Sequence, residues 1–379
     1  MRIAVNTRFL QKDFPEGYGY FLHETFKRIT TAHPEHEFIF IFDRPYDPQF
    51  IFSPNTRAVV CGPPARHPVL WKLWYDFRIP LILKKTRADL FVSCDGFCSL
   101  ATAIPQCLVV HDLSWIHFPS FISKSHLLFY KYYTPKYLQK AARVATVSHF
   151  SKKDLITQYG IGEDKIDVVF SAAKTSFHPA TGPQMTVIKE KYTNGNEYFL
   201  YTGAIHPRKN LFNLLKSFSI FKKKQNSNFK LLMAGRLAWK YDQFVKDLQR
   251  YKYRKDVILA GYLPEEELVQ LMSAAYALVY PSFWEGFGVP VLEAMRSGVP
   301  VITSVDSAMQ EIAGDAALYA NPASPEDIAD KMMLIYKDEQ LRTRLIQKGI
   351  GQEKKYSWDR TASLLWETIL KSAGRTEQP

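Results

Sequence analysis

Cysteine is scarce in this 379-residue chain: only Cys61, Cys94, Cys98 and Cys107 occur. Their spacing fits no zinc pattern and their number is too small for a disulfide scaffold, so a reduced cytosolic compartment is expected. No run of about 18 apolar residues is present, which leaves no candidate membrane-spanning helix. Met1-Arg-Ile-Ala-Val-Asn6 reads as a short strand entering a polar turn and lacks the apolar core of a signal peptide. Low-complexity segments and short-period repeats are missing too. Acids are outnumbered, 37 against 49 bases, giving a net charge of +12. Such an excess favours anionic partners, but the bases are spread along the whole chain and no nucleic-acid recognition motif accompanies them.

What is present is an ordinary globular composition, 46% hydrophobic and 23% charged, at a length that suits two domains. Short β-branched runs alternate with longer amphipathic stretches, the pattern of βαβ units and a parallel sheet. Strands are expected at 2–6, 37–42, 57–61, 89–94, 107–111, 143–147 and 167–170, with a helix over about 124–142 and another starting near Ser151. Residues 171–197 hold prolines, glycines and asparagines without a sustained period and read as a connection carrying a short helix. Alternation resumes with strands at 198–201, 230–234, 257–260, 277–280 and 299–303 and helices at 211–221, 265–273, 291–296 and 325–336. The expected fold is α/β, two doubly wound domains facing across a cleft, 1–180 and 181–355, with a last helix in 356–379.

The most informative segment is Tyr280-Pro-Ser-Phe-Trp-Glu285-Gly286-Phe287-Gly288-Val289-Pro-Val-Leu-Glu293-Ala-Met295. A strand ends at Tyr280, two glycines let backbone N–H groups approach a ligand, and Pro290 opens a helix whose first turn would hold Glu293. The helix end offers partial positive charge to an anion, and two carboxylates can each accept two hydroxyls, as a sugar ligand requires. Taken singly, Glu293 reads as a helix-dipole partner and Glu285 as a solvated loop acid.

A second constellation is Tyr201-Thr-Gly203-Ala-Ile-His-Pro-Arg208-Lys209-Asn210. Arg208 and Lys209 stand beside a helix N-terminus, where cations are unfavourable unless an anion such as a diphosphate intervenes. Two solvated surface cations are the plain alternative. His111, in Val110-His-Asp-Leu-Ser114, ends a strand at the edge where such sheets place ligands; a packing histidine is the plain alternative. The loop Phe14-Pro-Glu-Gly17-Tyr-Gly-Tyr20 has two glycines but lacks the full nucleotide-binding spacing, and a simple turn explains it as well.

Together these residues resemble the retaining glycosyltransferases of family 4, on the signature Glu285-x7-Glu293 with Gly298-Val-Pro-Val. The resemblance extends over nearly the whole chain. It takes in Gly203 with Arg208-Lys209-Asn210, Gly261-Tyr262-Leu263-Pro-Glu-Glu-Glu-Leu268, Gly314-Asp-Ala-Ala-Leu318, Tyr356-Ser-Trp-Asp-Arg360 and Val147-Ser-His-Phe-Ser-Lys152. It implies the GT-B fold, a nucleotide-sugar donor, no metal or other cofactor, and retention at the anomeric carbon. Arg208 and Lys209 would neutralise the leaving diphosphate, Glu293 bind ribose, Glu285 and His111 contact the donor sugar, and Tyr262 and Leu263 flank the base. Gly203 and Gly286 to Val289 would line the donor, Gly17 would lie near phosphate or acceptor, and the last helix would return to the N-terminal domain.

His111-Asp-Leu-Ser-Trp-Ile-His-Phe-Pro119 resembles bacterial mannosyltransferases of the family, which implies GDP-mannose and a glycan or lipid-linked acceptor. A UDP-hexose transferase, an epimerase or phosphorylase on the same architecture, and a catalytically silent sugar-nucleotide-binding subunit are the alternatives. Residues 71–87 mix aromatics, aliphatics and five cations against one acid. This suits peripheral association with an anionic inner membrane face, or else a buried helix interrupted at Pro80 with Trp71 and Trp74 in the core.

Overall fold

Near-continuous apolar runs make buried parallel strands, and the inner strands of both sheets are built that way, while the edge strands Thr56–Val60 and Val257–Gly261 are partly exposed. The computed structural model describes residues 1–12, 17–236 and 242–375. The first sheet contains β1 (Arg2–Asn6), β2 (Glu37–Phe42), β3 (Thr56–Val60), β4 (Leu90–Ser93), β5 (Gln106–Val110), β6 (Arg143–Thr146) and β7 (Ile166–Val168). Their order is β3-β2-β1-β4-β5-β6-β7, all parallel. The second contains β8 (Tyr198–Thr202), β9 (Lys230–Ala234), β10 (Val257–Gly261), β11 (Ala277–Tyr280), β12 (Val301–Ser304) and β13 (Ala317–Ala320). Its order is β10-β9-β8-β11-β12-β13, again parallel. Strand order reverses between β1 and β4 in one sheet and between β8 and β11 in the other. Such reversal points open a crevice beyond the carboxyl ends of the strands, where ligands bind.

The chain divides into two units, Met1–Ser171 with Ser357–Pro379, and Ala172–Tyr356. The division falls at 171/172, whereas the sequence placed it at 180/181, because the intervening segment is tied to the second unit. Lys174 Nζ and Ser176 Oγ donate to the Glu265 carboxylate at 2.7 Å each, and Arg296 Nε donates to the Phe177 carbonyl at 3.1 Å. The last helix, Trp358–Ser372, belongs to the first unit and packs along the helix Gly17–Ala32 and β6. Trp366 stacks on His33 with ring centres 3.9 Å apart, and Arg28 pairs with Asp359 at 2.6 Å.

Several local expectations need correction. The helix expected near Ser151 is His149–Tyr159; Ser148 caps it by accepting the Ser151 N–H at 3.0 Å. Residues 71–87 are a helical stretch in which Trp71, Trp74, Tyr75, Ile79 and Leu83 are buried, so the core reading holds for the two tryptophans. Pro80 does not break it. The helices Pro68–Leu73 and Ile79–Thr86 are joined by a wider turn, Trp74–Arg78, and Pro80 stands at the start of the second helix, where a missing N–H is tolerated. Among the described residues no helix is long and apolar enough to cross a membrane.

Candidate active site

The reversal point of the second sheet gathers the loops that follow β8 and β11. After β8, Pro207–Lys209 form a short turn that leads to Asn210 and the helix Leu211–Gln225. Asn210 adopts φ +63° and its side-chain amide donates to the carbonyls of Pro281 at 2.9 Å and Pro322 at 2.6 Å, tying this loop to those after β11 and β13. The Phe283 N–H donates to the Arg208 carbonyl at 3.0 Å, adding a second tie.

These ties bring Arg208, Lys209 and Glu285 together. Arg208 Nη1 lies 3.1 Å from Glu285 Oε2, and Lys209 Nζ lies 2.6 Å from Oε1. Arg208 also donates to the Trp284 carbonyl. Tyr280, the last residue of β11, closes the set: Lys209 Nζ donates to its hydroxyl at 2.7 Å, and the hydroxyl donates to Glu285 Oε1 at 3.3 Å. Burial alone pushes the Glu285 carboxyl up, but Arg208 and then Lys209 outweigh it and hold the group down at about 2. The anion that the two cations require is therefore present in the chain itself. The sequence had looked for it in a ligand and had named Tyr280 only as a strand end.

Glu293 lies elsewhere. It is the fifth residue of the helix Val289–Arg296, in its second turn and not its first, because the helix starts at Val289, directly after Gly288. The residue is 6% exposed, and among the described residues its side chain makes no hydrogen bond or ion pair. Burial pushes its carboxyl up to about 7, with the nearby Lys174 pulling down and Glu265 pushing up. Near neutral pH such a group is present both as a carboxylate, which only accepts hydrogen bonds, and as a carboxyl, which can also donate one.

The raised Glu293 value has a consequence for stability. The folded state holds this proton more tightly than the unfolded chain does, so stability is lost as pH climbs from about 4.5 towards about 7, by about 3 kcal/mol in all. Urea unfolding of wild type and Glu293→Gln across that window should show the variant gaining on the wild type as pH rises. A constant difference between the two curves would contradict the buried, unpartnered state of Glu293.

The glycines of the two loops are backbone devices. Gly288 has φ +99°, and a Cβ there would lie 2.6 Å from Met309 Cγ, so the chain can enter the helix only with glycine. Gly203 ends β8 with φ +130° beside Tyr201 and Tyr280. Gly286 and Phe287 are buried, Phe287 with its ring 5.7 Å from that of Tyr356, and Val289 is half-buried at the helix start. Tyr262 and Leu263 follow β10, with Tyr262 62% exposed, and they take no part in the charged cluster.

The remaining candidates belong to the first unit. His111 follows β5, half-buried between Tyr18 and Phe21, whose rings lie 4.7 and 5.0 Å from its own. Its Nε2–H donates to the Cys94 carbonyl at 3.1 Å, which leaves Nδ1 as an acceptor. Burial lowers its pKa to about 4, so the ring is neutral at physiological pH. At that unit's own reversal point, Arg8 and Asp95 form a buried ion pair at 2.6 Å, joined by Asn6 Nδ2 at 2.7 Å from Asp95 Oδ2. This network, which the sequence did not flag, fixes the loop carrying Cys94. Gly17 is exposed and starts its helix, while Phe14, Pro15 and Glu16 of the proposed glycine loop lie outside the described residues.

Residues 186–352 match the family model described as glycosyl transferases group 1, and residues 31–176 match that of glycosyltransferase family 4. The O-antigen chain mannosyltransferase RfbU of Salmonella typhimurium is 32% identical over 273 residues, 71% of each chain. The chain belongs to the group 1 glycosyltransferases. The O-antigen chain mannosyltransferase B of Escherichia coli is 30% identical to this glycosyltransferase over 250 residues, 66% of each chain. Among solved structures, Anabaena HepE in complex with UDP-glucose superposes with a TM-score of 0.74 at 16% identity, covering 97% of this glycosyltransferase and 99% of HepE. The fold is GT-B, built from two Rossmann-like units.

Proposed function

We propose that this glycosyltransferase moves mannose from GDP-mannose to a glycan or lipid-linked acceptor, with retention and without a metal ion. The observation that carries the reading is the pairing of Arg208 and Lys209 at the reversal point of the second sheet, next to a helix N-terminus. A diphosphate entering there meets two cations and free N–H groups, which supply the charge stabilisation that a metal provides elsewhere. Glu293 takes the ribose hydroxyls, and Glu285 the hydroxyls of the donor sugar. Gly203 and the backbone of Gly286 to Val289 line the donor, and Tyr262 and Leu263 flank the base. Within the first unit, His111 presents Nδ1 as an acceptor for a sugar hydroxyl and Gly17 offers its backbone N–H to a phosphate or acceptor. In the transfer step the bond from C1 to the diphosphate breaks and the acceptor oxygen joins C1 on the same face. The acceptor's proton passes to the departing phosphate oxygen, so no protein nucleophile is needed. With a lipid-linked acceptor, the enzyme works as a peripheral protein at an anionic inner membrane face.

The mannosyltransferase names of the two relatives favour mannose, and HepE, whose complex holds UDP-glucose, supports a UDP-hexose as the second reading. Thermal unfolding separates them. At a concentration a hundred times its Kd, the true nucleotide should stabilise the protein by about 2.7 kcal/mol, a rise of a few degrees. GDP should give that rise and UDP should not. A shift with UDP alone would replace the donor, and no shift with either would favour a silent subunit with another ligand.

A further inference from the structure

The bases run along the whole chain, but its net charge is concentrated. Residues 66–87 and the helix Lys124–Lys140 hold ten lysines and arginines and one acid, nine of the chain's net +12 charges. The single acid, Asp76, is buried and paired with Lys72. The two stretches pack side by side in the first unit: Trp71 meets Phe129 with ring centres 5.2 Å apart, and Lys72 Nζ sits 5.2 Å above the Tyr133 ring. All four lysines of Lys124–Lys140 are exposed.

Among these cations stands a row of exposed apolar side chains. Val69, Leu73, Phe77 and Leu81 are 61%, 44%, 59% and 63% exposed, and Leu128 and Tyr132 on the neighbouring helix are 68% and 59% exposed. The first four recur every fourth residue. In a regular helix residues four apart drift by about 40°, so such a row would wind off the face. The wider turn Trp74–Arg78 advances less per residue and runs the drift back, which keeps Phe77 and Leu81 in line with Val69 and Leu73. Their neighbours Trp71, Trp74, Tyr75, Ile79 and Leu83 fill the core from the opposite side, so the outer row is surplus to folding.

We infer that this outer face of Pro68–Thr86 and Lys124–Lys140 docks on an anionic lipid bilayer. The inference rests on the lipid-linked acceptor proposed above and names the surface that would bring the enzyme to it. Charge complementarity selects the occupant. A second copy would set one cationic rim against another. A nucleic acid would satisfy the cations and leave the aliphatic row unburied. An anionic bilayer satisfies both: the apolar row enters the headgroup boundary while the lysine stems lie along it with their heads in the lipid phosphates.

Flotation with vesicles of equimolar phosphatidylglycerol and phosphatidylcholine tests this, with pure phosphatidylcholine vesicles for comparison. The full chain should bind the first and not the second, and binding should fade as salt is raised. Each cation near the surface is worth about fivefold in partitioning, about 1 kcal/mol, so Lys84→Glu with Lys85→Glu should lose at least about twenty-fold. Phe77→Ser with Leu81→Ser should lose about tenfold or more. Both pairs are exposed, so their melting temperatures should stay at the wild-type value. No binding to acidic vesicles at low salt, or undiminished binding by either variant, would overturn the inference. So would lipid-free self-association that Phe77→Ser with Leu81→Ser abolishes, since a second copy would then be the occupant. The nucleotide-induced melting shift, measured on the same preparations, stands apart: its absence would sink the donor reading and leave the lipid result untouched.

Discussion

Replacing Arg208 or Lys209 by alanine is expected to lower turnover by about a hundredfold or more, the usual cost of removing a preorganised group that stabilises departing charge. Both cations are largely withdrawn from solvent, at 20% and 13% exposure, so their field is weakly screened. The loss should appear in kcat as well as in kcat/KM, because the diphosphate gains charge only as the sugar leaves. The fold should survive, since Asn210 and not the two cations ties the loop to Pro281 and Pro322. Arg208→Lys should recover only part of the activity, because an ammonium cannot reproduce the forked guanidinium contact. Transfer near the wild-type rate in both alanine variants would remove these residues from the mechanism.

Glu285→Gln and Glu293→Gln should affect nucleotide binding differently, although both replace a buried carboxylate and the two stand only eight positions apart. Glu285 is the resident counter-ion of Arg208 and Lys209, and a diphosphate entering the loop competes with it. Its removal should leave GDP bound at least as tightly as in wild type while transfer falls steeply. It should also cost the ligand-free protein about 3 kcal/mol at neutral pH, since a carboxyl held down at about 2 contributes stability above 4.5 that is lost as pH drops through that range. Bound GDP should restore part of that loss by supplying the missing negative charge. Glu293→Gln should instead weaken GDP by roughly 1.5–3 kcal/mol, the worth of a hydrogen bond to a charged acceptor. Calorimetry with bare GDP decides the matter. Equal weakening in both variants would contradict this division of labour.

The sheets were readable because a buried parallel strand is written as a solid apolar run. Ser-Cys at 93–94 and Val-His at 110–111 were each overrun by a residue, since strand ends are set by turn chemistry and not by hydrophobicity. The strand Ala317–Ala320 and the helices Ala308–Ala313 and Glu339–Glu353 went unread. The first two are four and six residues long, too short to establish a period, and the third is weakly amphipathic.

The site was legible as residue types and not as partners. Gly203, Arg208, Lys209, Glu285 and Glu293 stood out beside strand ends, but the ion pair joining Lys209 to Glu285 spans 76 positions and leaves no local trace. Tyr280 was hidden for the same reason: its role comes from lying between the two. The row Val69, Leu73, Phe77 and Leu81 had the opposite difficulty. Buried and exposed apolar residues alternate through one helical stretch, and only the fold tells the tryptophans that fill the core from the side chains left outside.

The most direct measurement is the fate of GDP-mannose incubated with the wild-type protein in excess chelator, followed by GDP release and by NMR of the first-formed sugar product. The expected result is GDP release undiminished by the chelator, product with the donor's α configuration, and no release by the Arg208→Ala, Lys209→Ala double variant. No turnover of GDP-mannose, turnover that stops when metal is removed, or a β product would contradict it.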